Sequence, residues 1–147
     1  MEPIKKLKAG DVIFIDRIIY QHYGIYVGNG KVIHYAARNG DFGTDVGVRE
    51  TSLEQFAGDS KCSIIKFDKK NTGVKYFSPK ETVRRAQSRI GEKSYNLIFN
   101  NCEHFALWCK TGKSKSIQVE KAVTVAIVLG TVAIATHLVK NNDKDRS

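Results

Sequence analysis

Cys102 and two distant histidines, His22 and His34, are residue types that together can form a nucleophilic thiol site. A thiolate attacks a carbonyl carbon when a base takes its proton and a third group orients that base. Cys102 follows Asn101, which is a good N-cap residue for a helix that places the thiol in its first turn. The helix dipole there favours a thiolate. We therefore assign Cys102 as the nucleophile, His22 as the general base and His34 as the group that orients His22.

Two other interpretations of the same residues stay open. Cys102 could be a small buried side chain at a helix start, as free cysteines often are. A zinc site is the weaker alternative, because catalytic zinc usually has a clustered ligand motif and His104 points to another side of the helix from Cys102. We expect His104 to pack or hydrogen-bond locally, and we predict no metal and no other cofactor.

Composition limits the class of protein. The chain has 147 residues, enough for one hydrophobic core, and a net charge of +9 from scattered lysines and arginines. That charge suits a solvated basic face or the surface of an anionic membrane. No arginine-rich arm or zinc-finger spacing is present, so we predict no nucleic-acid partner. Three cysteines and a polar N-terminus indicate a reducing compartment. The sequence does not indicate whether the protein has protein partners.

The hairpin that carries the two histidines can form in two registers. Strand-like segments 23–27 and 31–35 flank Gly28-Asn29-Gly30. A two-residue turn would place Ile25 opposite His34, with His22 on the other face. A three-residue loop with a bulge at Gly30 would place Gly24 opposite His34, so that both histidines share a face. Catalysis requires the second register, which we predict.

The remaining pattern predicts an α+β fold, an antiparallel β-sheet packed with helices on one side. Further strands are expected at 11–16 and 63–67. Ser78-Pro79-Lys80-Glu81 is a capping box with proline at the first helical position, and Gly91 is a natural stop. A second helix is expected from about Asn101 to Thr111. Strands followed by helices without alternation are typical of this class.

A long uncharged segment lies near the C-terminus. Residues 122–139 contain no Asp, Glu, Lys or Arg. As a helix they would span roughly 27 Å, close to the thickness of a bilayer core. We predict a single-pass membrane anchor, with a buried core helix as the alternative.

Lysines on the N-terminal side predict that the catalytic domain stays on the cytoplasmic face of an intracellular membrane. The predicted boundaries are 1–115 for the catalytic domain, 116–121 for a juxtamembrane linker, 122–139 for the anchor and 140–147 for a polar tail.

These residues resemble a known family. Gln-His-Tyr-Gly-Ile-Tyr-Val-Gly at 21–28, Val-Ile-His at 32–34 and Asn-Cys-Glu-His-Phe at 101–105 are similar to the lecithin:retinol acyltransferase-like proteins. The resemblance implies a circularly permuted papain-like fold and acyl transfer through a cysteine thioester. It implies the same roles for Cys102, His22 and His34. Tyr20 and Asn101 are candidates for binding substrate or the oxyanion.

The resemblance also implies a lipid substrate. The short length resembles the small phospholipase A/acyltransferase branch, which passes an acyl chain from a glycerophospholipid to water, an amine or a lysophospholipid. Tyr23-Gly24 resembles the retinol-acylating branch, but the inserted segment of that branch is missing here. We therefore predict a phospholipid membrane and glycerophospholipids as partners and substrates. A retinol O-acyltransferase, a non-catalytic membrane adaptor and a cysteine peptidase or deamidase are the alternatives.

Overall fold

The structure is a computed structural model that describes most of the N-terminal 113 residues and three short C-terminal segments. The described ranges are 6–17, 20–40, 43–67, 75–93, 98–113, 121–128, 131–133 and 138–140. For residues 98–101 and for the three C-terminal ranges, the description covers the backbone alone.

The described elements are eight strands and three helices of an α+β fold. In chain order they are β1 Val12–Asp16, β2 Gln21–Gly28, β3 Lys31–Ala36, β4 Gly47–Ser52, α1 Leu53–Ala57, β5 Cys62–Lys66, α2 Pro79–Ser88, α3 Ile98–Thr111, β6 Lys121–Val128, β7 Thr131–Ala133 and β8 Leu138–Lys140. The strand order in the sheet is β4-β3-β2-β1-β5-β6-β7, and β8 also pairs with β6. The strand pairs within the described ranges are antiparallel, as predicted.

Both faces of the sheet are covered, which corrects the prediction of helices on one side. Alternate residues of β1 enter different hydrophobic clusters, since side chains along a strand point to opposite faces. Val12 and Phe14 pack in a cluster with Cys102 and Phe105 of α3. Ile13 and Ile15 pack in a second cluster with Phe56 of α1. The short helix α1, which the sequence pattern did not indicate, therefore packs against the second face.

Helix α2 begins as predicted. The Ser78 side chain is the N-cap, and its hydroxyl oxygen accepts a hydrogen bond of 3.1 Å from the Glu81 backbone N–H. Pro79 occupies the first helical position, where its missing N–H costs nothing. The helix ends at Ser88, and a turn then leads to Gly91, whose φ of 97° requires the left-handed region.

Helix α3 begins earlier than predicted. It starts at Ile98, so Asn101 lies inside the helix instead of at its N-cap, and Cys102 is the fifth residue. The predicted cap was wrong because Ile98 continues the helical spacing of Cys102 and Phe105 by one turn, which favours extending the apolar stripe. Cys102 therefore lies in the second turn, where the helix dipole stabilises a thiolate less than in the first. The helix ends as predicted, at Thr111, followed by Gly112 at a φ of 82°.

The C-terminal segment differs from the predicted helix over residues 122–139. Its described residues form β6, β7 and β8, and β6 pairs with β5 with Val125 opposite Cys62. Five of the eight residues of β6 are β-branched, which favours a strand over a helix. No helix within the described ranges is both long and apolar enough to cross a bilayer. The remaining residues of the predicted anchor, 129–130 and 134–137, lie outside the described ranges.

Candidate active site

The β2–β3 hairpin has the register that the site requires. Gly24 pairs with His34, as predicted. The turn is different from the one expected: Gly28 pairs with Lys31, and the two loop residues Asn29 and Gly30 have φ values of 53° and 72°. Two positive φ values are typical of a type I′ turn. The extra residue is Val27, between the paired residues Tyr26 and Gly28, so the bulge lies in β2 and not at Gly30.

His22 and His34 share one face and contact each other directly. His22 Nε2 lies 2.9 Å from His34 Nδ1, and the two rings are almost perpendicular, at 85°. Their exposed fractions are 0% and 2%. Buried imidazoles with this contact are held in fixed orientations, which is what a base and its orienting group require.

Phe56 of α1 packs against both imidazoles, with ring centroids 5.4 Å from His22 and 4.9 Å from His34. Gly24 makes room for this packing. A Cβ at that position would lie 2.7 Å from Val32 Cγ1, 2.9 Å from Phe56 Cε1 and 3.3 Å from His34 Cβ. The absence of a side chain at Gly24 therefore lets Phe56 and His34 come together. Sequence reasoning missed Phe56, because a five-residue helix gives too short a pattern to detect.

Thr51 is the next polar group beyond the histidine pair. His34 Nε2 lies 2.8 Å from Thr51 Oγ1, and the Thr51 hydroxyl donates a hydrogen bond of 3.1 Å to the Ser52 carbonyl. Thr51 is paired with Val32 in the β3–β4 ladder, which places its side chain on the face of His34. The sequence offered no signal for Thr51, since the β4 register depends on a long connecting loop.

Cys102 lies against the part of β2 that carries His22. Its Sγ is 3.6 Å from the Gln21 carbonyl oxygen, and the Tyr23 backbone N–H also interacts with the sulfur. In an extended strand these two groups, one on each side of His22, point to the same edge. The thiol therefore lies at the edge of β2 beside His22. The structure thus places Cys102, His22 and His34 in one region of the fold.

Burial opposes ionisation of the Cys102 thiol. Loss of water raises the pKa of Cys102 to about 11, although the backbone N–H groups of Tyr23 and Glu103 act in the opposite direction. Burial also raises the pKa values of Cys62 and Cys109 to about 12. Ionisation is therefore disfavoured at all three thiols, and a base must remove the proton of Cys102 for it to react at neutral pH.

The other candidate residues lie around this group or outside the description. The Tyr20 ring is edge-on to His22, with centroids 6.0 Å apart, immediately before β2. The side chain of Asn101 is outside the described residues, and its role stays a prediction. His104 is half-buried on α3, two residues after Cys102. Among the described residues, no group of three or more His, Cys, Asp or Glu side chains could hold a metal ion.

Comparisons with known proteins identify relatives of this chain. The family model described as Lecithin retinol acyltransferase matches residues 5–115. Phospholipase A and acyltransferase 3 of Mus musculus is 32% identical over 149 residues, covering 95% of this chain and 92% of that protein. Phospholipase A and acyltransferase 4 of Homo sapiens is 31% identical, covering 90% and 89%. Lecithin retinol acyltransferase of Mus musculus is 30% identical, covering 86% of this chain and 64% of that protein.

The family match spans the strands that carry His22 and His34 and the helix that carries Cys102, and therefore includes every residue of the site described above. Relatives named for phospholipase and acyl-transfer activity support an enzyme of the acyl-transfer kind. The chain therefore belongs to the lecithin retinol acyltransferase family.

Proposed function

We propose that this protein is a thiol phospholipase A and acyltransferase that acts on glycerophospholipids through a thioester on Cys102. The observation that carries this proposal is the position of the Cys102 sulfur between the Gln21 carbonyl and the Tyr23 N–H, beside a His22 that contacts His34. In this proposal Cys102 is the nucleophile, His22 is the base and His34 orients the base, which are the three roles that acyl transfer through a thiol requires.

The first half-reaction removes an acyl chain from the phospholipid. His22 Nδ1 takes the proton of the Cys102 thiol as the sulfur attacks the ester carbonyl carbon, because the Nε2 of His22 already contacts His34. The tetrahedral intermediate collapses with cleavage of the ester C–O bond. The departing lysophospholipid oxygen takes the proton from His22, and the acyl group remains as a thioester on Cys102.

The second half-reaction passes the acyl chain to an acceptor. Water, the amine of phosphatidylethanolamine or the hydroxyl of a lysophospholipid gives its proton to His22 and attacks the thioester carbonyl. The C–S bond then breaks, and the sulfur recovers the proton. Tyr20 and Asn101 are the side chains that we propose for binding the substrate or the negatively charged oxygen.

The trapping of a thioester tests the enzyme proposal. Full-length protein is incubated with acyl-labelled phosphatidylcholine, and the label is mapped by mass spectrometry and by its release with hydroxylamine. We expect label on Cys102, loss of label in Cys102→Ser, and unchanged labelling in Cys109→Ser. A chain that never acylates, with lipid and detergent varied, would contradict the enzyme proposal and favour a non-catalytic adaptor of the same fold.

We also propose that the protein works on the cytoplasmic face of an intracellular phospholipid membrane. The net charge of +9 attracts anionic headgroups, and residues 122–139 supply apolar side chains for contact with the bilayer. Co-flotation with phosphatidylcholine/phosphatidylserine vesicles tests whether the protein binds a phospholipid membrane. We expect the full chain to float and Ile127→Lys to float less. Equal flotation of both proteins would show that the C-terminal segment is not the anchor.

Retinol O-acylation is a second candidate, favoured by the similarity to lecithin retinol acyltransferase of Mus musculus. The same labelled phospholipid, with retinol added as acceptor, separates the two activities. Labelled retinyl ester in excess over labelled fatty acid and N-acylated phosphatidylethanolamine would favour retinol. We expect the phospholipid-derived products to predominate.

A further inference from the structure

Thr51 occupies a position beyond the proposed catalytic residues. Its hydroxyl oxygen lies 2.8 Å from His34 Nε2 in a buried environment, and the exposed fraction of Thr51 is 8%. Arg49, which pairs directly with His34 in the β3–β4 ladder, instead donates to the Ala36 carbonyl and to Asp45. The Thr51 hydroxyl is therefore the β4 group that contacts the far nitrogen of the histidine pair.

The direction of the hydrogen bonds follows from the single proton of the Thr51 hydroxyl. The Ser52 carbonyl can only accept, and it lies 3.1 Å from Thr51 Oγ1. With the hydroxyl proton directed to that carbonyl, Thr51 Oγ1 accepts a hydrogen bond from His34 Nε2, at 2.8 Å. His34 Nδ1 then carries a lone pair, and accepts from His22 Nε2. His22 Nδ1, in turn, is left without a proton in the neutral ring, which is the state that a base for the thiol needs.

We propose that Thr51 is a positioning residue that sets the tautomers of both histidines, and so keeps His22 Nδ1 able to accept the Cys102 proton. If Thr51 donated to His34 Nε2 instead, His34 Nδ1 would carry the proton, and His22 Nδ1 would also be protonated and unable to act as the base. The backbone carbonyl of Ser52, 3.1 Å from Thr51 Oγ1, disfavours this arrangement by accepting a hydrogen bond from the Thr51 hydroxyl. No proton moves past His22 in the reaction, so Thr51 acts only by setting the tautomers of the two histidines.

The tautomers can be read directly by NMR. In full-length protein with ¹⁵N-labelled histidine, at a pH where both rings are neutral, long-range ¹H–¹⁵N spectra distinguish protonated Nε2 from protonated Nδ1. We expect His22 and His34 to be protonated at Nε2 in the wild type. In Thr51→Val, we expect a population of His34 protonated at Nδ1. A wild-type His34 protonated at Nδ1 would overturn the proposal, whatever the activity of the enzyme.

Steady-state kinetics are the second test of the Thr51 proposal, and this test rests on the proposed function. We expect Thr51→Val to lower kcat about tenfold or more with KM nearly unchanged, because the competing tautomer is inactive. Thr51→Ser, which keeps the hydroxyl, should restore most of the activity. The matched control is Thr111→Val, since Thr111 is 7% exposed and also donates to a backbone carbonyl, that of Leu107. Wild-type kcat in Thr51→Val would overturn the proposal, as would equal losses in Thr51→Val and Thr111→Val.

A wild-type protein without acyl-transfer activity would count against the proposed function, while the NMR arm would still decide the role of Thr51.

Discussion

Gly24 lies directly opposite His34 in the β2–β3 ladder, and the hydrogen that replaces its side chain faces Val32 and Phe56. This pairing sets two properties at once. It places His22, two residues earlier on β2, on the same face as His34, and it lets the Phe56 ring approach both imidazoles. The geometry of the base therefore depends on a residue that has no functional group of its own.

The first prediction concerns this close packing. In Gly24→Ala, the new Cβ would lie 2.7 Å from Val32 Cγ1 and 2.9 Å from Phe56 Cε1, so neighbouring side chains must move. We expect a loss of about 1–3 kcal/mol in the free energy of unfolding, with a lower kcat because His34 is displaced. Urea denaturation and steady-state kinetics measure both effects.

Gly30→Ala separates backbone strain from crowding. A Cβ at Gly30 meets no atom within 4 Å, but its φ of 72° is unfavourable for alanine. We expect a cost of about 1 kcal/mol with wild-type kcat. An unchanged kcat in Gly24→Ala would show that the site tolerates a shift of His34.

The second prediction ranks the three histidines His22, His34 and His104 by the loss of kcat when each is replaced by alanine. His22→Ala should lose about 10²- to 10⁴-fold in kcat, the range for removal of a general base. His34→Ala should lose less, because the base remains but its orientation is no longer fixed. His104→Ala serves as the control on α3 and should keep nearly full activity. A larger loss in His34→Ala than in His22→Ala would exchange the proposed roles of the two residues.

The third prediction concerns the pH dependence of the Cys102 thiol. Only the thiolate reacts with iodoacetamide, and burial raises the pKa of Cys102 to about 11. The thiolate fraction should therefore rise about tenfold per pH unit well below that pKa. We expect the alkylation rate of Cys102 in the lipid-free protein to keep increasing from pH 7 to pH 10, measured on the Cys102 peptide by mass spectrometry. A plateau near pH 7 would mean that a thiolate–imidazolium pair forms without substrate.

The fourth prediction tests the strand pairing of the C-terminal segment. Val125 lies opposite Cys62 in the β5–β6 ladder, and such neighbours are about 4.5–5.5 Å apart, within the range of a disulfide. Oxidation of Val125→Cys should therefore link positions 62 and 125 in the purified full-length protein, as shown by peptide mapping. Thr124→Cys is the matched control, because neighbouring residues on a strand point to opposite faces. Equal crosslinking of both variants, or of neither, would contradict the pairing.

Local signals in the sequence were sufficient for part of the fold. Ser78 and Pro79 indicate the start of α2 because capping depends on a few adjacent residues. The histidine register was also predictable, since a shared face permits only one of two pairings. The Asn101 cap was wrong because a favourable cap residue was outweighed by an apolar stripe that continues to Ile98. The strand assignment of Val125 differs from the expected helix because uncharged β-branched residues suit both a bilayer and a sheet.

Thr51 and Phe56 could not have been found in the same way. Thr51 of β4 contacts His34 of β3, and Phe56 of α1 contacts His22 of β2. These contacts join elements that are separated in the sequence, so they follow from tertiary packing and not from a periodic pattern. The sequence therefore indicates the proposed reacting groups, whereas the residues that pack against those groups appear only in the folded structure.

The Val27 bulge has a consequence for how this hairpin can change in length. With Gly28 opposite Lys31 and Tyr26 opposite Val32, Val27 is a supernumerary residue that the ladder does not use. Its deletion would leave a regular hairpin in which Gly24 still meets His34. Removing Val27 would thus shorten β2 by one residue and leave His22 and His34 on the same face. A one-residue deletion normally reverses the inside and outside of a strand, but at this position the bulge would absorb it.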